Sequence, residues 1–331
     1  KRQGISCSRN RQFSLAGKCQ LLYTHTVSLA EYRGATVATH RFGGAWTERK
    51  LAALGDYLVQ FQVIFTKNPA AQKLRTVYVD AFAGTGDRDA LPDNTTASLF
   101  GYSDETREFQ QGSARVALEL KNKFHHYVFI DRKVRHIEAL RDLVRREVPN
   151  AAPLCEFVHD DANSWLQAWC SSQDWKSQRA VVFLDPYGMS VAWETIEAIA
   201  RTRAVDLWIL FPFAIGANRM MPSDELPDKD WGMSLTNVFG TVDWMKRFYE
   251  RKSNADLFGP QPDSISKVVA PGGILAFFVE RLKTVFPHVV DEPMILYNSN
   301  NSPMYALCFA AGNDKGGKTA IKIAAHLART R

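Results

Sequence analysis

The chain predicts a doubly wound α/β fold, with a mostly parallel sheet, helices on both faces and a C-terminal antiparallel hairpin. Three observations predict it. Strand-like stretches of five to seven residues, mostly apolar, recur at 76–80, 127–131, 155–159, 180–185 and 205–211, separated by stretches with helical spacing. Alternation of that kind requires right-handed crossovers and a parallel sheet. Two late apolar runs, 289–297 and 305–310, flank Asn298-Ser299-Asn300-Asn301-Ser302-Pro303, which is a hairpin signal.

Taken in order, the elements begin at Trp46. Leu51, Leu54, Leu58, Phe61 and Phe65 step by three and four, predicting a helix over 46–67 that Thr47 can cap and Asn68-Pro69 ends. The first strand is 76–80. Residues 87–112 are polar, with Pro92, Asn94 and Gly101, and read as a long loop near a ligand. A helix is expected over 113–123, a strand over 127–131, and a helix over 134–146 with Val134, Ile137, Leu140 and Val144 inward and an arginine-rich outer face. A turn at 149–153 leads to the strand 155–159, then Asp160-Asp161-Ala162-Asn163 and a helix through Trp169. Pro186-Tyr187-Gly188 breaks the fourth strand, and a helix over 193–201 precedes the fifth. Residues 214–262 read as a helical insertion, with Val238, Val242, Met245 and Phe248 at helical steps within 233–250. A helix over 274–285, the hairpin and a final helix from about Lys318 complete the domain.

The 331 residues suffice for one large α/β domain, and 46% apolar with 23% charged residues is ordinary for a soluble globular protein. No apolar run is long enough to cross a bilayer, so no membrane partner is expected, and the cysteine usage fits a reducing cytoplasm. The five cysteines are scattered and form no Cys-x-x-Cys pair, which argues against a disulfide framework or a zinc knuckle. His125 and His126 are adjacent and point to opposite faces of an extended segment, and no metal site is expected. Of the net charge of +6, +5 falls in residues 1–36, where Lys1, Arg2, Arg9, Arg11, Lys18 and Arg33 face only Glu31. Basicity is therefore a property of this segment and weak evidence that the core binds nucleic acid. The segment lacks sustained periodicity. It is read as a basic, disordered extension, with folding beginning near Val37 and the domain occupying 37–331. Leu15-Ala16-Gly17-Lys18-Cys19 follows no apolar region and is not read as a signal peptide. A basic arm that touches nucleic acid is the alternative.

The chemistry concentrates at strand ends. Val77-Tyr78-Val79-Asp80-Ala81-Phe82-Ala83-Gly84-Thr85-Gly86 is a buried strand feeding a tight glycine loop. In an α/β fold such a loop lies beyond the carboxyl end of a strand, where small ligands bind. Gly84 and Gly86 permit positive φ and close approach to a ligand. The third glycine of the dinucleotide pattern is missing, since Asp87-Arg88-Asp89 follows Gly86. The Asp80 carboxylate suits a hydroxyl or an ammonium and repels a pyrophosphate. The pattern points away from NAD and towards S-adenosylmethionine (SAM), a cation carrying a ribose, although a plain structural turn also fits the glycines. Asp80, Asp131 and Asp185 each end a strand, and Asp160-Asp161 follow another, so a parallel sheet puts all of them on one edge. Asp131 comes 45 residues after Gly86, further than the roughly 20 usual for the ribose-binding acid of a dinucleotide fold. The 87–112 loop accounts for the surplus, and a carboxylate there can accept both ribose hydroxyls. Each acid taken alone serves equally well as a helix cap.

In Leu184-Asp185-Pro186-Tyr187-Gly188, Asp185 is an acceptor, Pro186 stops the ladder and Tyr187 offers a flat face. Together these suit a flat, amino-bearing substrate such as a nucleobase, or an amine or amide side chain; an ordinary strand-to-helix turn is the alternative. Gly312-Asn313-Asp314-Lys315-Gly316-Gly317-Lys318-Thr319 satisfies the Walker A pattern. The preceding strand reads as the last of a hairpin, and no further strand with a magnesium-binding acid follows, so the segment is read as a glycine turn with helix-end lysines.

Asp80-x-Phe82-x-Gly84-Thr85-Gly86 with Asp185-Pro186-Tyr187 resembles the SAM-binding and catalytic motifs of amino-methyltransferases. Those enzymes usually carry Asp/Asn-Pro-Pro-aromatic, whereas here the second proline is absent and the aromatic has moved up one place. A closer resemblance is to the three-Cys-motif partner protein family. It is carried by Phe42-Gly43-Gly44-x-Trp46-Thr47-x-x-Lys50-Leu51, Tyr78-Val79-Asp80-x-Phe82-Ala83-Gly84-Thr85-Gly86, Phe129-Ile130-Asp131, Asp161-Ala162-Asn163 and Phe183-Leu184-Asp185-Pro186-Tyr187-Gly188, and runs from about Phe42 to the C-terminus. The resemblance implies a fold of the SAM-dependent methyltransferase type, with SAM held by Asp80, Phe82, Gly84, Gly86, Asp131, Asp161 and Asn163 and a catalytic edge of Asp185, Pro186 and Tyr187. It also implies a partner, a protein with a three-cysteine motif resembling radical-SAM enzymes. The expected function is SAM-dependent methyl transfer to an amino-bearing substrate together with that partner. The alternative is a non-catalytic SAM-fold binding module that supports the partner.

Overall fold

Five parallel strands carry the architecture of the computed structural model, which describes residues 45–83, 105–256 and 259–331. The 1–36 extension, the boundary at Val37, Gly84 and Gly86 lie outside the described residues. The strands are β1 (Arg75–Ala81), β2 (His126–Asp131), β3 (Cys155–His159), β4 (Gln178–Leu184) and β5 (Val205–Phe211). They pair in the order β3-β2-β1-β4-β5, so the chain reverses its direction of travel between β1 and β4. Two further strands, β6 (Tyr249–Asp256) and β7 (Gly259–Lys267), form a separate antiparallel pair. β10 (Pro303–Ala311) joins β5 antiparallel, and β8 (His288–Val289) and β9 (Met294–Tyr297) pair antiparallel with β10. Five parallel strands with an antiparallel strand placed beside β5 make the sheet of the SAM-dependent methyltransferase type.

The helices are α1 (Ala45–Lys67), α2 (Glu105–Leu118), α3 (Val134–Glu147), α4 (Ala162–Ser172), α5 (Trp193–Arg201), α6 (Lys229–Phe239), α7 (Asp243–Phe248), α8 (Pro271–Val285) and α9 (Gly317–Thr330). Side chains alternate across a strand, and two cores follow from that alternation. Tyr78, Tyr127, Phe129, Val181, Phe183 and Trp208 face α1, α2, α3 and α9. Val77, Val79, Ile130, Val182, Leu184 and Ile209 face α4, α5, α6 and α8. With both faces covered, the parallel strands read as continuous apolar runs. α1 buries Leu54, Tyr57, Leu58 and Phe61 against the first face, each worth roughly 1.5–3 kcal/mol. Such packing, more than intrinsic propensity, keeps a helix formed.

The structure departs from the expected elements in four places. α2 starts at Glu105, inside the stretch expected as loop, and stops at Leu118. Its early turns are too polar to show periodicity, and its last turns bring Ala114, Ala117 and Leu118 into the core. The continuous helix expected over 233–250 is two helices. Gly240 takes the left-handed conformation (φ +64°) and ends α6 with its N–H on the Thr236 carbonyl. The insertion expected to be helical over 214–262 ends instead in the β6–β7 ribbon, whose polar sequence lacks the alternation of a half-buried strand. The strand expected over 289–297 is split into β8 and β9 around the polar Asp291-Glu292-Pro293. Among the described residues, no helix is long and apolar enough to cross a membrane.

Candidate active site

Strand register sets the depth of the acids. Asp80 lies beside Phe129 of β2 and Phe183 of β4. Asp131 and Asp185 therefore sit two residues further along their strands and, by the period of two, on the same face. Asp80 is 1% exposed and lies one pleat beneath the edge on which Asp131 and Asp185 stand.

α1 delivers a charge to this layer. Lys50 Nζ donates to Asp185 Oδ2 at 2.7 Å, and the lysine side chain is 1% exposed. The rings of Trp46 and Phe183 lie 5.5 and 5.7 Å from Nζ, within cation–π range. Trp46 is itself stacked on Tyr305 at 5.3 Å. Burial pulls the Lys50 ammonium below the usual lysine range, opposed by Asp185 and then by Asp80. Asp80 is pushed up to about 7, first by burial; the hydrogen bond from Ser113 opposes this, Asp185 adds to it, and Tyr78 and Lys50 pull it back. The Tyr78 hydroxyl donates to Asp80 Oδ2 at 3.2 Å and is raised well above its ordinary value, chiefly by burial. The Asp185 Oδ1 atom has no hydrogen-bond partner among the described residues.

One strand over, Asp131 Oδ1 accepts from the Lys133 N–H at 2.7 Å and pairs with His136 Nδ1 at 3.0 Å, while Oδ2 has no hydrogen-bond partner among the described residues. Burial holds His136 below the usual histidine range, against the pull of Asp131. The network assigns the ring proton to Nδ1, so buried Nε2 presents a lone pair, with no partner among the described residues. Phe82 has φ +93°, which is unusual for a residue with a side chain. The N–H groups of Phe82 and Ala83 both donate to the Ile130 carbonyl, at 3.0 and 2.9 Å. The chain thus leaves β1 in a hook over the end of β2, beside Asp131.

The remaining predicted residues are engaged otherwise. Asp161 caps α4, accepting from Ser164 N at 3.0 Å. Asn163 donates to the Ser190 carbonyl at 2.8 Å and accepts from Ala192 N and Thr195 Oγ1, both at 2.9 Å. It braces the loop that follows β4. That loop carries Pro186 and Tyr187, the latter 40% exposed, and turns at Gly188 (φ +59°). Asp80 and Asp185 are brought together, Asp131 and Phe82 form a second group, and Asn163 is turned into the loop. Reading motifs includes Lys50 without giving it a role in the site, and misses His136. Each carries a signal: Trp46, Lys50 and Leu54 step by four along a buried stripe, as do His136, Leu140 and Val144, so a polar residue interrupts an apolar face.

The Walker-like segment stands at the opposite edge. β10 runs against β5, Ala311 pairs with Asp206, and Gly312 N donates to the Val205 carbonyl at 2.9 Å. A Cβ on Gly317 would fall 2.0 Å from His288 Cδ2, so close packing explains that glycine.

No family model matches the chain, and no curated protein matches it in sequence. Solved structures similar in fold include a protein from Legionella pneumophila (12% identity, TM-score 0.41, 86% of this chain and 92% of that one). Spermidine synthase from Thermotoga maritima is another (11% identity, TM-score 0.38, 81% of this chain and 60% of that one). An assigned SAM-dependent methyltransferase from Listeria monocytogenes is a third (10% identity, TM-score 0.33, 78% of this chain and 98% of that one). The chain has a methyltransferase-like α/β fold, and its own strand order is the ground for that statement.

Proposed function

We propose that the chain is a SAM-dependent methyltransferase acting on a flat, amino-bearing substrate such as a nucleobase. One observation carries the reading: Asp80, Asp131 and Asp185 share one face at the point where the strand order reverses, which is where α/β sheets bind ligands. The residues present fit the cofactor. Asp131 Oδ2 and His136 Nε2 are acceptors with no donor among the described residues, as ribose hydroxyls would require. When bound, SAM supplies a methyl group already activated on a sulfonium.

The chain's own residues bind and orient. Asp131 would accept from the ribose hydroxyls, its other oxygen fixed by Lys133 and His136. The Phe82 hook, Gly84 and Gly86 would border the cofactor, with Asp80 beneath it and Asp161 and Asn163 at the head of α4. Asp185 would accept a hydrogen bond from the substrate's amino group, Pro186 would fix the chain after it, and Tyr187 would stack on the ring. Placing the nucleophile in line supplies most of the catalysis. On the motif resemblance we also propose a protein partner with a three-cysteine motif resembling radical-SAM enzymes, in the cytoplasm. Co-purification of the untagged partner tests that part.

Calorimetry tests the cofactor. SAM or its demethylated product should bind at one site per chain. Asp131→Ala should weaken binding by roughly 1.5–3 kcal/mol, the worth of hydrogen bonds to a charged group. Unchanged affinity in that variant would remove Asp131 from the site.

A further inference from the structure

Asp185 already holds a cation. Lys50 comes from the first helix, far from β4 in sequence, and its Nζ sits 2.7 Å from Asp185 Oδ2. The ammonium is walled off from solvent by Trp46 and Phe183, and Asp80 lies in the same layer. Oδ1 of Asp185 has no hydrogen-bond partner among the described residues, and two residues further along the chain stands Tyr187, 40% exposed. An alkylammonium brought to Oδ1 would meet a carboxylate whose charge is already balanced and a like charge close behind it. A neutral amino or amide N–H meets neither penalty and still finds an acceptor.

We propose that Lys50 is a specificity-determining residue, which occupies the cation position of Asp185 and restricts the acceptor to neutral, flat amino or amide groups, excluding alkylammonium substrates. The inference rests on the methyltransferase reading only in placing the acceptor at Asp185. Lys50 does not touch the transferred group in this account. It sets which charge state of an amine the edge receives.

The test uses the full chain saturated with S-adenosylhomocysteine, whose binding is measured first by calorimetry. Absence of that binding counts against the cofactor reading and leaves the next comparison intact, because the probes can be titrated without it. Cytosine (a neutral amino-bearing ring) and n-butylammonium are then titrated by ligand-observed NMR. The wild-type chain should prefer cytosine. Lys50→Met should gain at least tenfold in n-butylammonium affinity, and Lys50→Arg, which keeps the charge, should gain none. A merely structural role for Lys50 would weaken both probes in parallel. Equal n-butylammonium affinity in wild type and Lys50→Met overturns the proposal. Should Lys50→Met fail to fold, the wild-type chain decides alone: n-butylammonium binding as tightly as cytosine overturns it, and selective cytosine binding supports it.

Discussion

Asp206→Asn should change how stability depends on pH. Asp206 lies near the start of β5 on the α1 face, where the Tyr57 hydroxyl donates to its Oδ2 at 2.6 Å. Burial pushes its carboxyl up from 3.8 to about 7, against the Tyr57 hydrogen bond and the Arg179 charge, which both pull it down. In the unfolded chain the group titrates near 3.8. Between these values the folded state keeps a proton that the unfolded state has released. The contribution to stability is therefore full below pH 3.8, shrinks as pH rises, and is gone above about pH 7. At 1.36 kcal/mol for each pH unit separating the two values, it amounts to roughly 4 kcal/mol. Asparagine carries no charge at any pH, and its side-chain oxygen can keep the Tyr57 bond. The stability of the variant relative to wild type should thus rise by roughly 4 kcal/mol from pH 4 to pH 8, or about 8 °C in Tm at about 2 °C per kcal/mol for a large domain. Asp80, also pushed up to about 7, titrates in the same window but is present in both proteins and cancels in the difference. Thermal melts at half-unit steps from pH 4 to 8.5 measure it. A difference that stays constant across that range refutes the reasoning.

Two other substitutions follow from particular contacts. Gly240→Ala should cost at least about 2 kcal/mol by chemical denaturation: left-handed φ alone costs a side chain roughly 1–2 kcal/mol, and the new Cβ would fall 2.1 Å from the Trp193 ring. Asp185→Ala should destabilise by about 3–5 kcal/mol, because it leaves the Lys50 ammonium buried without its partner. Turnover is therefore read in Asp185→Ala well below its melting temperature, where loss of the acceptor should stop methyl transfer while SAM affinity stays within a few fold. An Asp185→Ala protein that melts with the wild type would show that the ion pair is not what holds Lys50.

The parallel sheet is legible in the sequence because both its faces are covered. Tyr127-Val128-Phe129-Ile130 and Val181-Val182-Phe183-Leu184 are apolar at every position, so neither needs a partner strand to be recognised. The acid ends are legible for the same reason, since each closes such a run. The β6–β7 ribbon lies off the sheet and carries no apolar run, so periodicity has nothing to register there. The break at Gly240 hides because Val238, Val242, Met245 and Phe248 keep helical spacing across it. Site residues contributed by helices are harder to read than those at strand ends. Lys50 belongs to the site only because α1 crosses the β1–β4 pair, a fact of tertiary packing, and on its own helix it is a charge on the wrong face.

That misplaced charge separates a ligand edge from an ordinary buried acid. Asp80 and Asp206 are both carboxylates pushed up to about 7 by burial, and both accept from a tyrosine, Tyr78 and Tyr57. Taken singly, neither says anything about function, since structural networks also perturb titration. Their surroundings differ. Asp206 stands at the amino edge of the parallel strands, beside the Gly312 turn, with one tyrosine donating to it and the half-buried Arg179 as its nearby charge. Asp80 stands beneath the carboxyl edge with a buried lysine, a second carboxylate and a serine around it. Replacing a buried ion pair by apolar residues is often neutral or stabilising, so packing alone gives no reason for Lys50 and Asp185 to be there. The only place where the fold tolerates two carboxylates and an ammonium in one layer, among the described residues, is the point where the strand order reverses. A ligand that needs a fixed acceptor in a fixed charge state gives that cluster a role which stability does not.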